Sequence, residues 1–172
     1  MSAVRNIRML TRYNQWANNM LLDAIAALPP DEVTKKRAAA FGGMSFTLAH
    51  MEIVDQIWRA HLLGKDHGFT SRTTDALDSL ALLAEKLNET GDWYIKYADS
   101  MTDPLLNQKI KFSFVDGGAG EMTRGDILIH ICNHKAFHRG HIGDMFYQSG
   151  FRPPSIDLPV YIRDAFNEAD LG

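Results

Sequence analysis

Leu10, Tyr13, Ala17, Leu21, Ala24 and Leu28 recur at steps of three and four residues, the period of one helix face. This spacing predicts a first helix over residues 3–28, stopped by Pro29-Pro30. A loop through Gly42-Gly43 follows, and Ser45 is placed to cap a second helix. The inner face of that helix would be Phe46, His50, Ile53, Val54, Ile57 and Trp58, with Gly64 at its end. Glu52, Asp55, Gln56 and Arg59 fall on the opposite side and are expected to face solvent. Residues 65–73 form a connection. A third helix is expected from Thr73 or Thr74 to about Met101, with Leu77, Leu80, Ala84 and Leu87 on its apolar face. Gly91 weakens it locally, by about 1 kcal/mol relative to Ala, while Trp93 and Tyr97 carry the pattern onward.

The period then changes. Lys109 to Phe114 alternates polar with apolar, and Asp116-Gly117-Gly118 supplies turn chemistry, so a short hairpin is expected. Thr123-x-x-Asp126 resembles a capping box, with Asp in place of the usual Glu or Gln. It would open a long helix over residues 124–149, ended by Gly150 and blocked by Pro153-Pro154. Pro159 suits the first turn of a final short helix ending near Glu168. Four long helices with one long crossover before the last predict an all-α four-helix bundle. A chain of 172 residues with no repeat or linker suits a single domain over residues 1–172.

Charge and composition then narrow the function classes. A formal charge of −3 and scattered basic residues leave no phosphate-tracking stripe, so no nucleic-acid partner is expected. Lys35-Lys36-Arg37 is the one short basic run, and it reads as a solvated loop. No stretch is apolar enough to span a bilayer and the N-terminal residues carry no signal-peptide run, so no membrane partner is expected. Cys132 is the sole cysteine, which excludes an intrachain disulfide and fits a reducing, cytoplasmic location.

The chemistry concentrates in the predicted last long helix. His130, His134, His138 and His141 form one narrow stripe, edged by Ile127, Ile131, Ile142 and Met145. Inward imidazoles need partners, and a divalent metal accepts several at once. The four-residue step from His134 to His138 lets both rings reach one ion. A third ligand must come from elsewhere, and His50, mid-stripe in the second helix, is the best candidate. Three neutral imidazoles leave positions open for water or substrate, the pattern of a catalytic zinc site. His130 and His141 would then be pocket-lining or proton-shuttling groups. His61 and His67 are expected to be solvated, and Cys132 points away from His134. Arg139 projects off the stripe, toward a neighbouring helix, a second subunit or solvent. Lys135 occupies the place where zincins have a Glu base, and no Glu-x-x-His pairs mark a di-iron site.

These residues resemble the signature of the DinB-like (DinB/YfiT) bacterial proteins. Asn133-His134 through His138-Arg139-Gly140 is similar to their N-H-x-x-x-H-R-G motif, with His141 where many members have Gln. Tyr13-Asn14-Gln15-Trp16-Ala17-Asn18 resembles the first-helix motif, and Leu48-Ala49-His50 with Trp58 the second-helix one. Gly150 through Pro153-Pro154 to Asp157 resembles the tail. The resemblance implies an up-down-down-up bundle, often dimeric, with nickel or zinc held by His50, His134 and His138. It also implies activities like those of relatives that transfer bacillithiol or mycothiol, or isomerise with mycothiol. The family's name suggests DNA-damage induction, which concerns expression and implies no DNA contact.

The expectation is therefore a metal-dependent enzyme that transfers a low-molecular-weight thiol to an electrophilic small molecule. Metal-assisted hydrolysis and a non-catalytic, stress-associated metal-binding homodimer are the alternatives. The small-residue stripe Ile129, Cys132, Ala136, Gly143 and Tyr147 would serve assembly of the homodimer, the alternative being burial within the same subunit under the hairpin or the final short helix.

Overall fold

The computed structural model describes residues 2–171. Along the chain run α1 (Ala3–Ala26), α2 (Pro30–Thr34), α3 (Met44–Leu62), α4 (Leu80–Asp99), α5 (Asp103–Leu106), β1 (Lys109–Ser113), β2 (Ala119–Thr123), α6 (Arg124–Gln148), α7 (Leu158–Asp164) and a closing 3₁₀ turn, Glu168–Leu171. The chain is mostly helical with a two-stranded antiparallel sheet, so the all-α expectation gives way to that coarser description. α1 packs on α4 and α6, and α3 packs on the same two helices.

Local signals explain most helix ends. Ser2 caps α1, accepting from the Arg5 N–H, and Ser79 caps α4, accepting from Leu82. The Thr123–Asp126 capping box forms in both directions at the start of α6. Ser45 does not cap α3. Gly43 occupies that position, and the buried Ser45 hydroxyl donates to the Val33 carbonyl at 2.9 Å, tying α2 to α3. The third long helix also starts later than its apolar pattern suggests. Ser71 accepts from the Thr73 N–H and Thr74 from the Ala76 N–H; such local hydroxyl turns compete with helix.

Two glycines mark close approaches. A Cβ on Gly91 would lie 1.6 Å from Gln15 Oε1, so its absence leaves room for the Gln15 amide, which reaches α4 and donates to Asn88 Oδ1 at 3.2 Å. In the hairpin, Phe112 pairs with Gly120. A Cβ there would lie 2.5 Å from the Phe112 ring. The ring therefore crosses the sheet and turns its edge to Trp58, with centroids 4.8 Å apart.

α3 is the most enclosed element: fourteen of its nineteen residues are buried. Glu52 and Asp55, expected to face water, are among them. The amphipathic reading fails because α4 covers the side that the pattern assigned to solvent. The basic run after α2 departs similarly. The Arg37 side chain is buried, its guanidinium held by Glu32 and the Ser149 hydroxyl.

Buried apolar residues divide into two clusters. One joins Leu21, Ile25, Met51, Leu87 and Ile142; the other joins Ile7, Val54, Tyr94, Ile127 and Ile131. Between them in sequence on all four long helices lie buried polar groups: Asn14 and Asn18, Glu52, Thr90, Lys135, His138 and Arg139, with His50 just before Met51 on α3. The core is thus interrupted by a polar belt, and the candidate site is part of it.

Candidate metal centre

α3 and α6 bring their histidines together. His50 Nε2 lies 3.1 Å from His134 Nε2, and His138 Nε2 lies 3.0 Å from that same atom. One ligand atom from each of the three lies within 4.8 Å of the others. His134 and His138 meet because four residues make one helical turn. His50 joins them from the facing helix. The structure thus positions for a metal ion the three residues that spacing selected.

Proton accounting favours a cation over a hydrogen-bonded cluster. His50 Nδ1 lies 2.7 Å from the Arg72 main-chain oxygen. A carbonyl only accepts, so Nδ1 bears the hydrogen and Nε2 of the neutral ring offers a lone pair. His134 Nε2 faces that lone pair and His138 Nε2 as well, and with either one hydrogen or one lone pair of its own it cannot make a full hydrogen bond to both. The Nδ1 atoms of His134 and His138 are buried without hydrogen-bond partners. A cation accepting three lone pairs resolves the convergence; a neutral hydrogen-bond network does not. The donor set therefore fits a divalent transition metal, which imidazole nitrogen suits.

Electrostatics keep those lone pairs free. Burial, then repulsion from His138 and His50, lowers the His134 pKa from 6.5 to about 3. Burial and repulsion from His50 and His141 lower His138 to about 4. Burial also lowers His50. All three rings are neutral at pH 7, the form that ligates metal.

The surrounding shell comes from several elements. Phe41, on the loop before α3, stacks on His50 with centroids 4.1 Å apart and meets the His138 ring edge-on at 5.3 Å. Sequence reasoning missed Phe41 and the Arg72 carbonyl, because loop residues carry no periodic signal. The His141 ring lies 5.4 Å from that of His138. His130 lies 5.8 Å from the His134 ring and turns edge-on to Trp58. His61 is not solvated: it is half-buried against Trp58, and burial lowers its pKa. His67, also expected to be solvated, is half-buried with its ring 5.2 Å from that of His61. A cavity of about 170 Å³ opens beside the triad, with His50, His134, His61, His130, Trp58 and Phe112 among its walls.

Behind the site, Lys135 and Asp55 form a fully buried ion pair, Nζ to Oδ2 2.5 Å. Burial nevertheless raises the Asp55 pKa, with Lys135 opposing it. Arg139 reaches a neighbouring helix, not solvent: its Nη1 donates to Asn14 Oδ1 at 2.6 Å and Asn18 Oδ1 at 2.8 Å on α1. Cys132 is buried, donates toward the Leu10 carbonyl, and has its pKa pushed up to about 12 by burial. It packs; it does not ligate. Of the small-residue stripe, Cys132 is covered within the chain, whereas Ile129, Ala136 and Tyr147 are exposed.

The chain matches the DinB family across residues 1–170. It belongs to the DinB family. It is similar to "Protein DinB" of Bacillus subtilis (strain 168), with 23% identity over 158 residues, covering 89% of this chain and 91% of that relative. In this DinB-family chain α6 carries both contacts: His134 meets His50 of α3, and Arg139 reaches Asn14 and Asn18 of α1 and lies 5.8 Å over the Tyr13 ring. Among the described residues, no helix of this DinB-family protein is long and apolar enough to cross a membrane.

Proposed function

We propose that this DinB-family protein is a metal-dependent enzyme that transfers a low-molecular-weight thiol to an electrophilic small molecule. His50, His134 and His138 hold one divalent transition metal, zinc or nickel, and His130 and His141 flank it as proton-handling groups. When bound, the metal supplies Lewis acidity that lowers the pKa of a coordinated thiol or water. The observation that carries this reading is the convergence of the three Nε2 atoms beside an open cavity. Three protein ligands leave coordination positions for other groups, as in catalytic zinc sites. The chain's own part is to present uncharged imidazoles, orient His50 through the Arg72 carbonyl, and screen the far side of the site with Phe41.

This reading takes the chain as one domain whose four long helices form an up-down-down-up bundle. It places that domain in the cytoplasm as a homodimer. The exposed α6 side chains Ile129 and Tyr147 support the assembly. Hydrolysis is the second reading, favoured by one observation: Asp116, from the hairpin turn, lines the same cavity and offers a carboxylate.

Metal analysis of protein purified without a histidine tag tests the site. Wild type is expected to carry one equivalent, and His50→Ala and His134→Ala to lose it, while His67→Ala keeps it. Equal metal in wild type and His134→Ala removes the site. A cobalt-substituted protein whose absorption shifts on adding a thiol supports transfer over a closed structural ion.

A further inference from the structure

We infer that the cavity beside the histidine triad is the subsite for a neutral, single-ring aromatic group, carried by the electrophile of the thiol-transfer reading on which this inference rests. Size decides the first part. The cavity holds about 170 Å³, close to the roughly 150 Å³ of an apolar cavity that binds benzene. Sites for larger ligands begin at about 300 Å³. One ring fits and two do not.

The walls decide the second part. Val54 and Ile57 contribute aliphatic surface from α3, and Trp58 and Phe112 contribute ring surface. Those two rings meet edge-to-face at 69°. Phe112 also meets Phe114 edge-to-face, at 5.2 Å. Walls built from tilted rings offer both a face and an edge to an added ring, the arrangements aromatic pairs prefer. The hairpin is shaped for this, since Gly120 clears the space in which Phe112 crosses the sheet.

Charge decides the third. Aromatic cages also take quaternary ammonium ions. Here Arg72 stands at the same cavity, and the wall includes His50 and His134, the ligands proposed for a dication. Those charges repel a cation. Asp116, exposed in the turn, is the one carboxylate among the lining residues. A neutral ring held against Trp58 and Phe112 would carry its reactive substituent next to the triad, which turns that wall into a positioning device for the acceptor.

The probe is fluorobenzene, titrated into the full chain with and without metal and followed by fluorine NMR. Amide and indole shifts locate the site. Saturable binding with shifts centred on Trp58, Val54 and Phe112 is expected. Val54→Phe, which fills the cavity from α3, and Phe114→Ala, which removes an exposed ring from its wall, are each expected to weaken binding at least about tenfold, or ~1.4 kcal/mol. Near-ultraviolet circular dichroism identifies which variants are folded, and Phe114, being exposed, keeps the test open if Val54→Phe is not. His138→Ala, outside the cavity wall, is expected to lose metal yet bind fluorobenzene as wild type does. Metal binding without saturable fluorobenzene binding overturns the subsite and leaves the metal reading standing. Fluorobenzene binding in a protein that takes no metal does the reverse. Tighter binding of tetramethylammonium than of fluorobenzene overturns the neutral assignment, as do shifts away from Trp58.

Discussion

Lys135 and Asp55 face one another across α3 and α6 with both side chains fully buried, Nζ to Oδ2 2.5 Å. Lys135 follows a proposed metal ligand directly, so α6 turns one residue to the site and the next into the core. The Tyr94 hydroxyl donates to the Asp55 carbonyl at 2.7 Å, adding α4 to the junction. Two charges removed from water gain little net stability as a pair, but removing one leaves the other without compensation. The pair therefore acts as a register lock between α3 and α6, and so between His50 and His134.

Its loss is expected to be asymmetric. Lys135→Met should destabilise by about 3–5 kcal/mol, and the double variant Lys135→Met/Asp55→Leu should recover most of that. Urea unfolding of the four proteins in the cycle measures the coupling. Additive effects in that cycle would show that the two groups do not depend on one another.

Arg139 joins α6 to α1 in the same polar belt. Arg139→Met removes two hydrogen bonds made by a charged donor, to Asn14 and Asn18, each worth about 1.5–3 kcal/mol. A loss of about 3 kcal/mol or more in chemical denaturation is expected. A loss below 1 kcal/mol would mean the belt does not need its α1 partners.

The histidines set an acid limit for the metal-free protein. Their folded pKa values, about 3 for His134 and about 4 for His138, lie below the usual 6.5. The unfolded chain thus takes up protons that the folded chain refuses. The stability associated with these neutral rings is present above pH 6.5 and is lost as pH falls from there toward 4 and then 3. Unfolding of metal-free protein should accordingly be linked to proton uptake in that window. Replacing His134 and His138 with Gln should flatten the slope. An unchanged slope in the double variant would place the linked protons elsewhere.

Gly91 gives a test of the α1–α4 approach. In an exposed helix, Gly→Ala stabilises by about 1 kcal/mol. Here the new methyl would meet the Gln15 amide, so Gly91→Ala is expected to destabilise by about 1–3 kcal/mol, as overpacking does. In a Gln15→Ala background the same change should become stabilising. Thermal unfolding of the pair of backgrounds separates these signs.

Much of the fold was legible because local chemistry fixed it. The 3.6-residue pattern located the long helices, alternation with Gly117-Gly118 located the hairpin, and Thr123-x-x-Asp126 marked the start of α6. The last case held despite the substituted Asp, since its carboxylate still reaches the Thr123 N–H at 3.1 Å. The start of α4 was misplaced because Ser71 and Thr74 form hydroxyl turns within an otherwise helical-looking run. Their hydrogen bonds satisfy the backbone locally, and the apolar pattern cannot register that.

The three converging histidines were legible for a related reason. His134 and His138 sit one turn apart, and a single additional histidine, His50, lay on an apolar face of another helix. What periodicity could not supply was how many sides of α3 become covered. A helix with a polar side normally turns it to water, yet α4 and α6 enclose α3, so Asp55 had to find Lys135 inside the core. His61 was misjudged likewise, because its burial depends on the hairpin folding over Trp58.

By itself, the sequence determined the long helices, the hairpin, the capping box of α6, the family and the three imidazoles that could share an ion, because all of these depend on residue type and near-neighbour spacing. Only the tertiary structure decided that a polar belt divides the core, that Phe41 covers His50 while Arg72 orients it, and that Phe112 helps wall a cavity beside the triad. Those relationships join residues far apart in the chain. They arise when packed helices exclude water and each buried polar group must take whatever partner the fold brings within reach.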